Sequence, residues 1–188
     1  SHTFFVRKTD MFYEFYKSKM VYPDATPNAA HIFFAELQNK GKNVSVVTQN
    51  IDGLHSAAGS KEVYEIHGSV LRNTCTKCGK HFGVETVMEQ EGVPHCECGG
   101  IIKPDVVLYE EPLDNVCVEG AINAIARADT MVIIGTSLVV YPAASYVRYF
   151  RGRNLVIINL EPTGMDDMAS LAIYEDVEKV VNDLKSLI

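Results

Sequence analysis

The sequence lacks an excess of basic residues and lacks any long apolar run. Its 188 residues include 17 Lys and Arg against 24 Asp and Glu, a formal net charge of −7, so the chain has no overall attraction for nucleic acid. Residues 130–147 form the longest stretch without charge, but glycine, proline and hydroxyl residues interrupt it, whereas a membrane helix needs about 20 apolar residues. We therefore expect no nucleic-acid partner, no membrane association and no secretory leader.

The chain also lacks a GxGxxG segment, the phosphate-binding fingerprint of dehydrogenases, which disfavours hydride transfer. Its composition, 47% hydrophobic and 22% charged, is that of a globular protein long enough for one domain and a small appendage. Apolar runs alternate with helical patterns along most of the chain. This alternation predicts an α/β fold with a doubly wound parallel sheet.

Three apolar runs predict buried strands, and small or polar residues follow each of them. The runs are residues 43–48, 130–134 and 155–158, followed by residues 49–53, 135–137 and 159–161. In open parallel sheets the ligand crevice lies beyond the carboxyl ends of the strands, so the three tips are candidates for one shared site.

Periodic apolar residues predict the helices. Thr26 and Pro27 are expected to start a helix that ends before Gly41, and further helices are expected over residues 114–128 and 142–150. Two other helices are predicted by apolar stripes, Met11, Phe12, Phe15, Tyr16 and Met20 near the start, and Val177, Val180, Val181, Leu184 and Ile188 at the end.

Four of the five cysteines occur in two close pairs. Cys75 and Cys78 precede Cys96 and Cys98 by 17 intervening residues, and a glycine follows each pair. Soft ligands at this spacing favour tetrahedral zinc, and four thiolates leave no position for water, so the metal should be structural. The alternative, four unrelated reduced thiols, is disfavoured because such pairing is rare by chance. Metal spacing rather than disulfides indicates a reducing, cytoplasmic setting.

Several polar residues at strand ends are candidates for chemistry. His67 follows the apolar run at residues 63–66, where an imidazole can act as a general base or simply hydrogen-bond a loop. Residues 135–137 offer backbone amides and hydroxyls to a phosphate. Glu161 offers a carboxylate to a ribose hydroxyl, or else is a solvated loop residue.

Six short motifs follow one another along the chain. They are residues 48–55 (TQNIDGLH), residues 67–68 (HG), the two cysteine pairs, residues 104–107 (PDVV), residues 135–144 (GTSLVVYPAA) and residues 158–161 (INLE). Together they closely resemble the sirtuins, the NAD-dependent protein-lysine deacylases, and bacterial members in particular. The resemblance implies a Rossmann-like NAD-binding domain, residues 1–70 and 102–188, with a zinc-ribbon module inserted at residues 71–101.

The same resemblance implies NAD and one structural zinc ion as cofactors. The implied reaction transfers an acyl group from lysine to ADP-ribose and releases nicotinamide, with His67 and Asn50 as catalytic residues and His67 as the general base. The residues implied to bind NAD are Gln49, Asn50, Ile51 and Asp52 at the nicotinamide and its ribose, Gly135, Thr136 and Ser137 at the phosphates, Asn159 and Glu161 at the adenosine ribose, and Asp176 and Val177 at the adenine.

The implied substrate is a protein or peptide with an acylated lysine. It would add as a strand between one segment containing Val106 and Tyr109 and another containing Val139 and Tyr141. The chain departs from the family pattern at residues 108–111 (LYEE), where an aromatic pair, a glycine and a glutamate are common.

The resemblance implies two further residues that contact the acyl group. Tyr16 and Lys19 align with a tyrosine and an arginine that bind acidic acyl groups in some members of the family. Lysine lacks the bidentate fork of arginine, so we favour deacetylation over desuccinylation.

One family motif has no counterpart. Sirtuins begin with a strand and a glycine- and alanine-rich loop that wraps the NAD diphosphate, and nothing in residues 1–24 matches it. A molecule that starts at Ser1 is expected to bind NAD weakly or not at all, and one that has the segment is expected to be active. Two alternatives therefore stand beside deacetylation. They are mono-ADP-ribosyl transfer, which the presence of His67 disfavours, and a catalytically silent module that binds acylated lysine.

Overall fold

The computed structural model describes residues 1–139, 141 and 143–187 of the chain. These residues form two compact units. Unit 1 comprises residues 1–26, 48–54 and 65–114, and unit 2 comprises residues 27–47, 55–64 and 115–188. The sequence-based boundaries at residues 70 and 102 stay a prediction. The compact units group the cysteine-rich segment with the chain on both sides of it.

The chain contains seven α-helices and eight strands within the described residues. The helices are α1 (His2–Arg7), α2 (Thr9–Lys19), α3 (Ala29–Asn39), α4 (Leu54–Ala57), α5 (Val84–Glu89), α6 (Asn115–Arg127) and α7 (Val177–Lys185). The strands are β1 (Val46–Thr48), β2 (Val63–Glu65), β3 (Gly68–Cys75), β4 (His81–Gly83), β5 (Ile102–Val106), β6 (Thr130–Ile134), β7 (Asn154–Ile158) and β8 (Leu171–Ile173). Two 3₁₀ segments, Ala143–Tyr149 and Asp166–Met168, complete the regular structure.

Unit 1 is built on an antiparallel sheet in the order β4-β3-β5, with a register shift in β3 between Ser69 and Asn73. Helix α2 buries Phe12, Tyr13 and Tyr16 in the core of this unit. The Tyr13 hydroxyl donates a hydrogen bond to the Ile102 carbonyl at 2.5 Å, which fixes α2 against β5.

The apolar stripe predicted for this helix is wrong at two positions. Met11 and Phe15 are 55% and 56% exposed, whereas Tyr13, which lies outside the predicted stripe, is fully buried. The helix therefore presents its Phe12–Tyr13–Tyr16 side to the core. Its periodicity was visible in the sequence, but its orientation was not.

Unit 2 is built on a parallel sheet in the order β6-β7-β8. Strands β6 and β7 are in register over their whole length, from the Thr130–Asn154 pair to the Ile134–Ile158 pair. Their carboxyl ends therefore lie at the same edge of this sheet. Helices α3 and α7 pack together through Phe33 and the fully buried Val181.

Several predicted elements of unit 2 need correction. The N-cap of α3 is Asn28, whose side chain accepts hydrogen bonds from the backbone of residues 30 and 31, and not Thr26. The run at residues 43–48 yields only β1, which is half-exposed and pairs with β2 in a separate two-stranded sheet. The helix predicted at residues 142–150 is the 3₁₀ segment Ala143–Tyr149. Val140, Pro142 and Ile188 lie outside the described residues.

Strands β6 and β7 and helix α6 match their predicted positions closely. The α/β class with a parallel sheet is confirmed. Across residues 1–139, 141 and 143–187, the structure contains no helix that is both long enough and apolar enough to cross a bilayer.

Candidate functional site

His67 lies in unit 1, in the two-residue connection between β2 and β3 near the segment that follows β1. Its ring nitrogen Nδ1 lies 3.2 Å from the backbone carbonyl oxygen of Gln49. A carbonyl oxygen only accepts hydrogen bonds, so Nδ1 carries the proton and Nε2 of the neutral ring has a free lone pair. The side chain is partly buried. This arrangement prepares Nε2 to take a proton from a ligand.

Backbone hydrogen bonds hold the His67 segment on both sides. The Ile66 amide donates to the Thr48 carbonyl and the Val70 amide donates to the Ile51 carbonyl, each at 2.9 Å. On the other side, the Val107 amide donates to the His67 carbonyl at 2.9 Å. These backbone hydrogen bonds therefore fix the segment of unit 1 that carries the imidazole.

Gly68 is the residue that lets β3 approach β5 directly after His67. Its φ is +73°, and a Cβ atom built there would lie 1.9 Å from the carbonyl oxygen of Asp105. Both the left-handed backbone and the lack of space exclude a side chain at this position. The His-Gly pair of the sequence is thus explained by packing as well as by chemistry.

The polar segment after β1 contains the residues implied to face nicotinamide and its ribose. Asp52 accepts a hydrogen bond from the Leu54 amide at 2.9 Å, and Gly53 adopts a φ of +74°, so the chain turns sharply here. Gln49, Ile51 and Asp52 are partly buried, and Asn50 is exposed. The structure therefore brings this segment and His67 together in unit 1.

Four cysteine thiols form a cluster in unit 1. The Sγ atoms of Cys75, Cys78, Cys96 and Cys98 all lie within 4.8 Å of one another. The Cys75–Cys98 pair is 3.5 Å apart and the Cys78–Cys96 pair is 3.7 Å apart. A tetrahedral zinc ion with Zn–S bonds of about 2.3 Å requires sulfur atoms about 3.8 Å apart. The donor set and its spacing therefore fit zinc.

Backbone amides support the thiolate form of Cys75 in this cluster. The Lys77 amide lies 3.4 Å from Cys75 Sγ. Hydrogen bonds from the Cys78 and Lys77 amides lower the pKa of the Cys75 thiol to about 6. A thiolate is the form that binds zinc. Because cysteine fills all four ligand positions, the site suits a structural metal and not a catalytic one.

Unit 2 carries the residues implied to meet the NAD phosphates. Gly135 directly follows β6 with a φ of +59°, and a Cβ atom built there would contact nothing within 4 Å. The Thr136 hydroxyl accepts a hydrogen bond from the Leu138 amide at 3.1 Å, and Ser137 is exposed. This loop leaves space and polar groups available to an anion.

The loop after β7 lies at the same edge of the β6-β7-β8 sheet. The Asn159 side chain donates to the Glu161 carbonyl at 2.7 Å, which folds the loop back on itself and leaves the Glu161 side chain exposed. Asp176 is the N-cap of α7 and accepts hydrogen bonds from the amides of Glu178 and Lys179, and Val177 begins that helix. The structure thus places two of the predicted strand tips together within unit 2.

The residues implied to bind the substrate differ in exposure. Val106 is buried at the end of β5, whereas Tyr109, three residues beyond β5 in a turn, is 80% exposed. Val139 and Tyr141 of unit 2 are exposed as well. Exposed residues next to a strand end are accessible to a peptide backbone.

The two residues implied to read the acyl group do not form an exposed pair. Tyr16 is fully buried, and its hydroxyl has no hydrogen-bond partner in the part of the chain that the structure describes. Burial raises its pKa, and the nearby Asp105 carboxylate adds to this effect. Lys19 is exposed at the end of α2. Within unit 1, the side chains therefore do not present a tyrosine and a cation together to an acidic acyl group.

Sequence reasoning missed two features of this site. The Gln49 carbonyl sets the tautomer of His67, and a backbone acceptor leaves no signature in a sequence. The turn at residues 108–111 is fixed by Thr3 and His2, which sequence patterns did not connect to it. The departure from the family pattern at Glu110 was the only available signal.

Comparison with known proteins agrees with this geometry. The family model of the Sir2 family matches residues 1–142. The chain belongs to the Sir2 family. An NAD-dependent protein deacetylase of Clostridium perfringens is 55% identical over 183 residues, which are 96% of this chain and 75% of the relative. Another, from Cutibacterium acnes, is 47% identical over 182 residues, 97% of this chain and 75% of the relative.

Solved Sir2 structures extend the agreement to the fold. A Sir2 complex with p53 peptide and NAD⁺ is 39% identical, with a TM-score of 0.90, and covers 100% of this chain and 81% of its own. A Sir2 complex with the inhibitor EX-527, 2′-O-acetyl-ADP-ribose and deacetylated p53 peptide is 40% identical, with a TM-score of 0.91. The match covers 100% of this chain and 83% of the Sir2 chain. The Rossmann-like fold predicted from the resemblance is confirmed for this Sir2 family member.

Proposed function

We propose that this Sir2 family protein is an NAD-dependent protein-lysine deacetylase. The observation that carries the proposal is the His67–Gln49 hydrogen bond, which leaves Nε2 of the imidazole free to act as a base. The relatives named above are NAD-dependent protein deacetylases, and the solved Sir2 structures hold NAD⁺, peptide or 2′-O-acetyl-ADP-ribose. A further Sir2 structure is bound to acetylated peptide. The substrates proposed here are accordingly proteins and peptides with an acylated lysine.

The chemistry explains why these residue types are needed. When bound, NAD supplies a sugar carbon that becomes electrophilic as nicotinamide leaves, and ADP-ribose accepts the acyl group. An amide oxygen is a weak nucleophile, so the residues around that carbon must exclude water. Ile51 is partly buried and supplies an apolar surface, and Gln49, Asn50 and Asp52 supply polar groups for the amide and ribose. His67 Nε2 would accept the proton of a ribose hydroxyl.

In unit 2, the proposed NAD contacts come from the loops that follow β6 and β7 and from the start of α7. Gly135, Thr136 and Ser137 would hold the phosphates, because their loop has free space and hydroxyl groups. Asn159 and Glu161 would hold the adenosine ribose at the same sheet edge. Asp176 and Val177, at the start of α7, would lie beside the adenine.

The proposed role of zinc is structural. Cys75 and Cys78, at the end of β3 and in the loop after it, and Cys96 and Cys98, in the segment before β5, would hold the ion, which would link these parts of unit 1. A metal site built from four thiols favours a reducing, cytoplasmic setting. The zinc-ribbon boundaries proposed at residues 71 and 101 enclose all four ligands.

The test compares His67→Ala with His81→Ala in the complete protein. His81 is exposed, and its Nδ1 lies 3.0 Å from Thr74 Oγ1, so this change removes an imidazole outside the proposed site. Incubation with NAD and an acetyl-lysine peptide should release nicotinamide and unmasked lysine in equal amounts. Loss of a general base typically costs about 10²–10⁴-fold in rate, so His67→Ala should fall in this range and His81→Ala should stay near wild type.

Other outcomes separate the alternatives. Near-normal turnover in His67→Ala would remove this residue from the mechanism. Nicotinamide release that labels protein with ADP-ribose, without unmasking lysine, would indicate mono-ADP-ribosyl transfer. Peptide binding without nicotinamide release would indicate a silent binding module.

A further inference from the structure

The turn at residues 108–111 contains a strained residue. The Glu111 amide donates to the Leu108 carbonyl at 3.0 Å, which closes a four-residue turn. Glu110 is its third residue and has a φ of +80°. Turns with a positive φ at the third position favour glycine, because an L side chain is strained there. Contacts with other residues must therefore hold the Glu110 backbone in this conformation.

Thr3 supplies that restraint. The Glu110 carboxylate accepts a hydrogen bond from the Thr3 amide at 2.9 Å and another from the Thr3 hydroxyl at 2.6 Å. The hydroxyl and then the amide of Thr3 lower the pKa of the Glu110 carboxyl, because both hydrogen bonds favour its charged form. Charge-assisted hydrogen bonds are stronger than neutral ones, so this pair opposes the backbone strain.

The rest of the turn is tied to the same framework. The His2 amide donates to the Tyr109 carbonyl at 2.9 Å. The Glu111 carboxylate accepts from the Leu108 amide at 2.9 Å and from Lys103 Nζ at 3.0 Å. The turn is thus fixed from both sides, and the Tyr109 side chain projects from it into solvent.

We propose that Thr3 and Glu110 are positioning residues that hold the Tyr109-bearing turn ready for the acylated peptide. This inference rests on the proposed function and on the peptide strand that the sequence resemblance implies, which would add along the segment containing Val106 and Tyr109. A peptide that pairs with a fixed backbone does not have to order it, whereas a released turn must be ordered at the moment of binding. The restraint therefore affects the affinity for the peptide, and it affects neither the chemical step nor the affinity for NAD.

The experiment compares Thr3→Val with Thr3→Ser. Valine has the shape of threonine but no hydroxyl, whereas serine keeps both hydrogen bonds to Glu110. Thr3→Val should raise the KM and the directly measured Kd for a fluorescent acetyl-lysine peptide by about three- to tenfold, with kcat and the KM for NAD unchanged. Thr3→Ser should stay within about twofold of wild type.

A second variant makes the test independent of a general loss of stability. Glu110→Gly removes both the strain and the carboxylate, so Thr3→Val added to it should have no further effect on peptide affinity. Unchanged peptide affinity in Thr3→Val, or an equal loss on the Glu110→Gly background, would overturn the inference. Wild-type protein that binds the peptide but releases no nicotinamide would overturn the proposed function and leave this inference standing.

Discussion

Gly68→Ala is the substitution for which the structure predicts the largest loss from one methyl group. The added Cβ would lie 1.9 Å from the Asp105 carbonyl oxygen, so β3 and β5 would have to separate by about 1 Å. Overpacking of this kind costs about 1–3 kcal/mol. The φ of +73° adds about 1–2 kcal/mol for a residue with a side chain. The expected loss of unfolding free energy is about 2–5 kcal/mol.

Gly92→Ala is the matched control in the same unit. Gly92 has a φ of +63°, but a Cβ there would have no atom within 4 Å, so only the backbone cost of about 1–2 kcal/mol applies. Urea unfolding followed by circular dichroism measures both variants. The unfolding free energy falls by about 1–3 kcal/mol per molar of urea. Gly68→Ala should therefore lower the urea concentration at the unfolding midpoint clearly more than Gly92→Ala. Equal midpoints for the two variants would refute the packing argument.

Two further predictions concern zinc and pH. Cys96→Ser should abolish stoichiometric zinc by metal analysis and lower stability, whereas Cys117→Ser, outside the cluster, should keep the metal. Glu62 accepts hydrogen bonds from Ser45 at 2.6 Å and from Tyr64 at 2.7 Å, which lower its pKa below the ordinary 4.5. A lowered pKa stabilises the fold above pH 4.5, and this stability is lost as pH falls through the folded-state value. Glu62→Gln should therefore be less stable than wild type at pH 7, and the difference in unfolding midpoint should shrink below pH 4.5. A pH-independent difference would contradict this.

Continuous apolar runs predicted the central part of unit 2 well. The prediction of residues 130–134 corresponds to β6 without change, and that of residues 155–158 to all but one residue of β7. These strands are rich in β-branched residues and form a parallel sheet, so their pattern depends little on distant contacts. Strand β8 was missed because three residues are too few to produce a period.

The errors occur where distant contacts decide the outcome. Phe15 and Tyr13 are both aromatic, and only the packing in unit 1 determines that Tyr13 is buried. Thr26-Pro27 is a valid helix start by local chemistry, but Asn28 forms the cap, with His31 completing a capping box. Local patterns identify the elements, and tertiary contacts choose between neighbouring residues.

The candidate site divides in the same way. The cysteine spacing was sufficient to predict the thiol cluster, because ligand geometry constrains the sequence directly. The position of His67 at the end of a strand was also predictable. Its tautomer was not, because it depends on a carbonyl group 18 residues away, and neither was the left-handed Glu110, which depends on Thr3 more than 100 residues away.

The fate of the acetyl group tests the central claim most directly. The complete protein would be incubated with NAD and a peptide whose lysine carries a ¹³C-labelled acetyl group, and the products separated by mass spectrometry. The proposed chemistry predicts one labelled acetyl-ADP-ribose and one nicotinamide for each lysine unmasked, and a formation of labelled acetyl-ADP-ribose that is slower by about 10²–10⁴-fold with His67→Ala. Labelled free acetate formed without nicotinamide would contradict it.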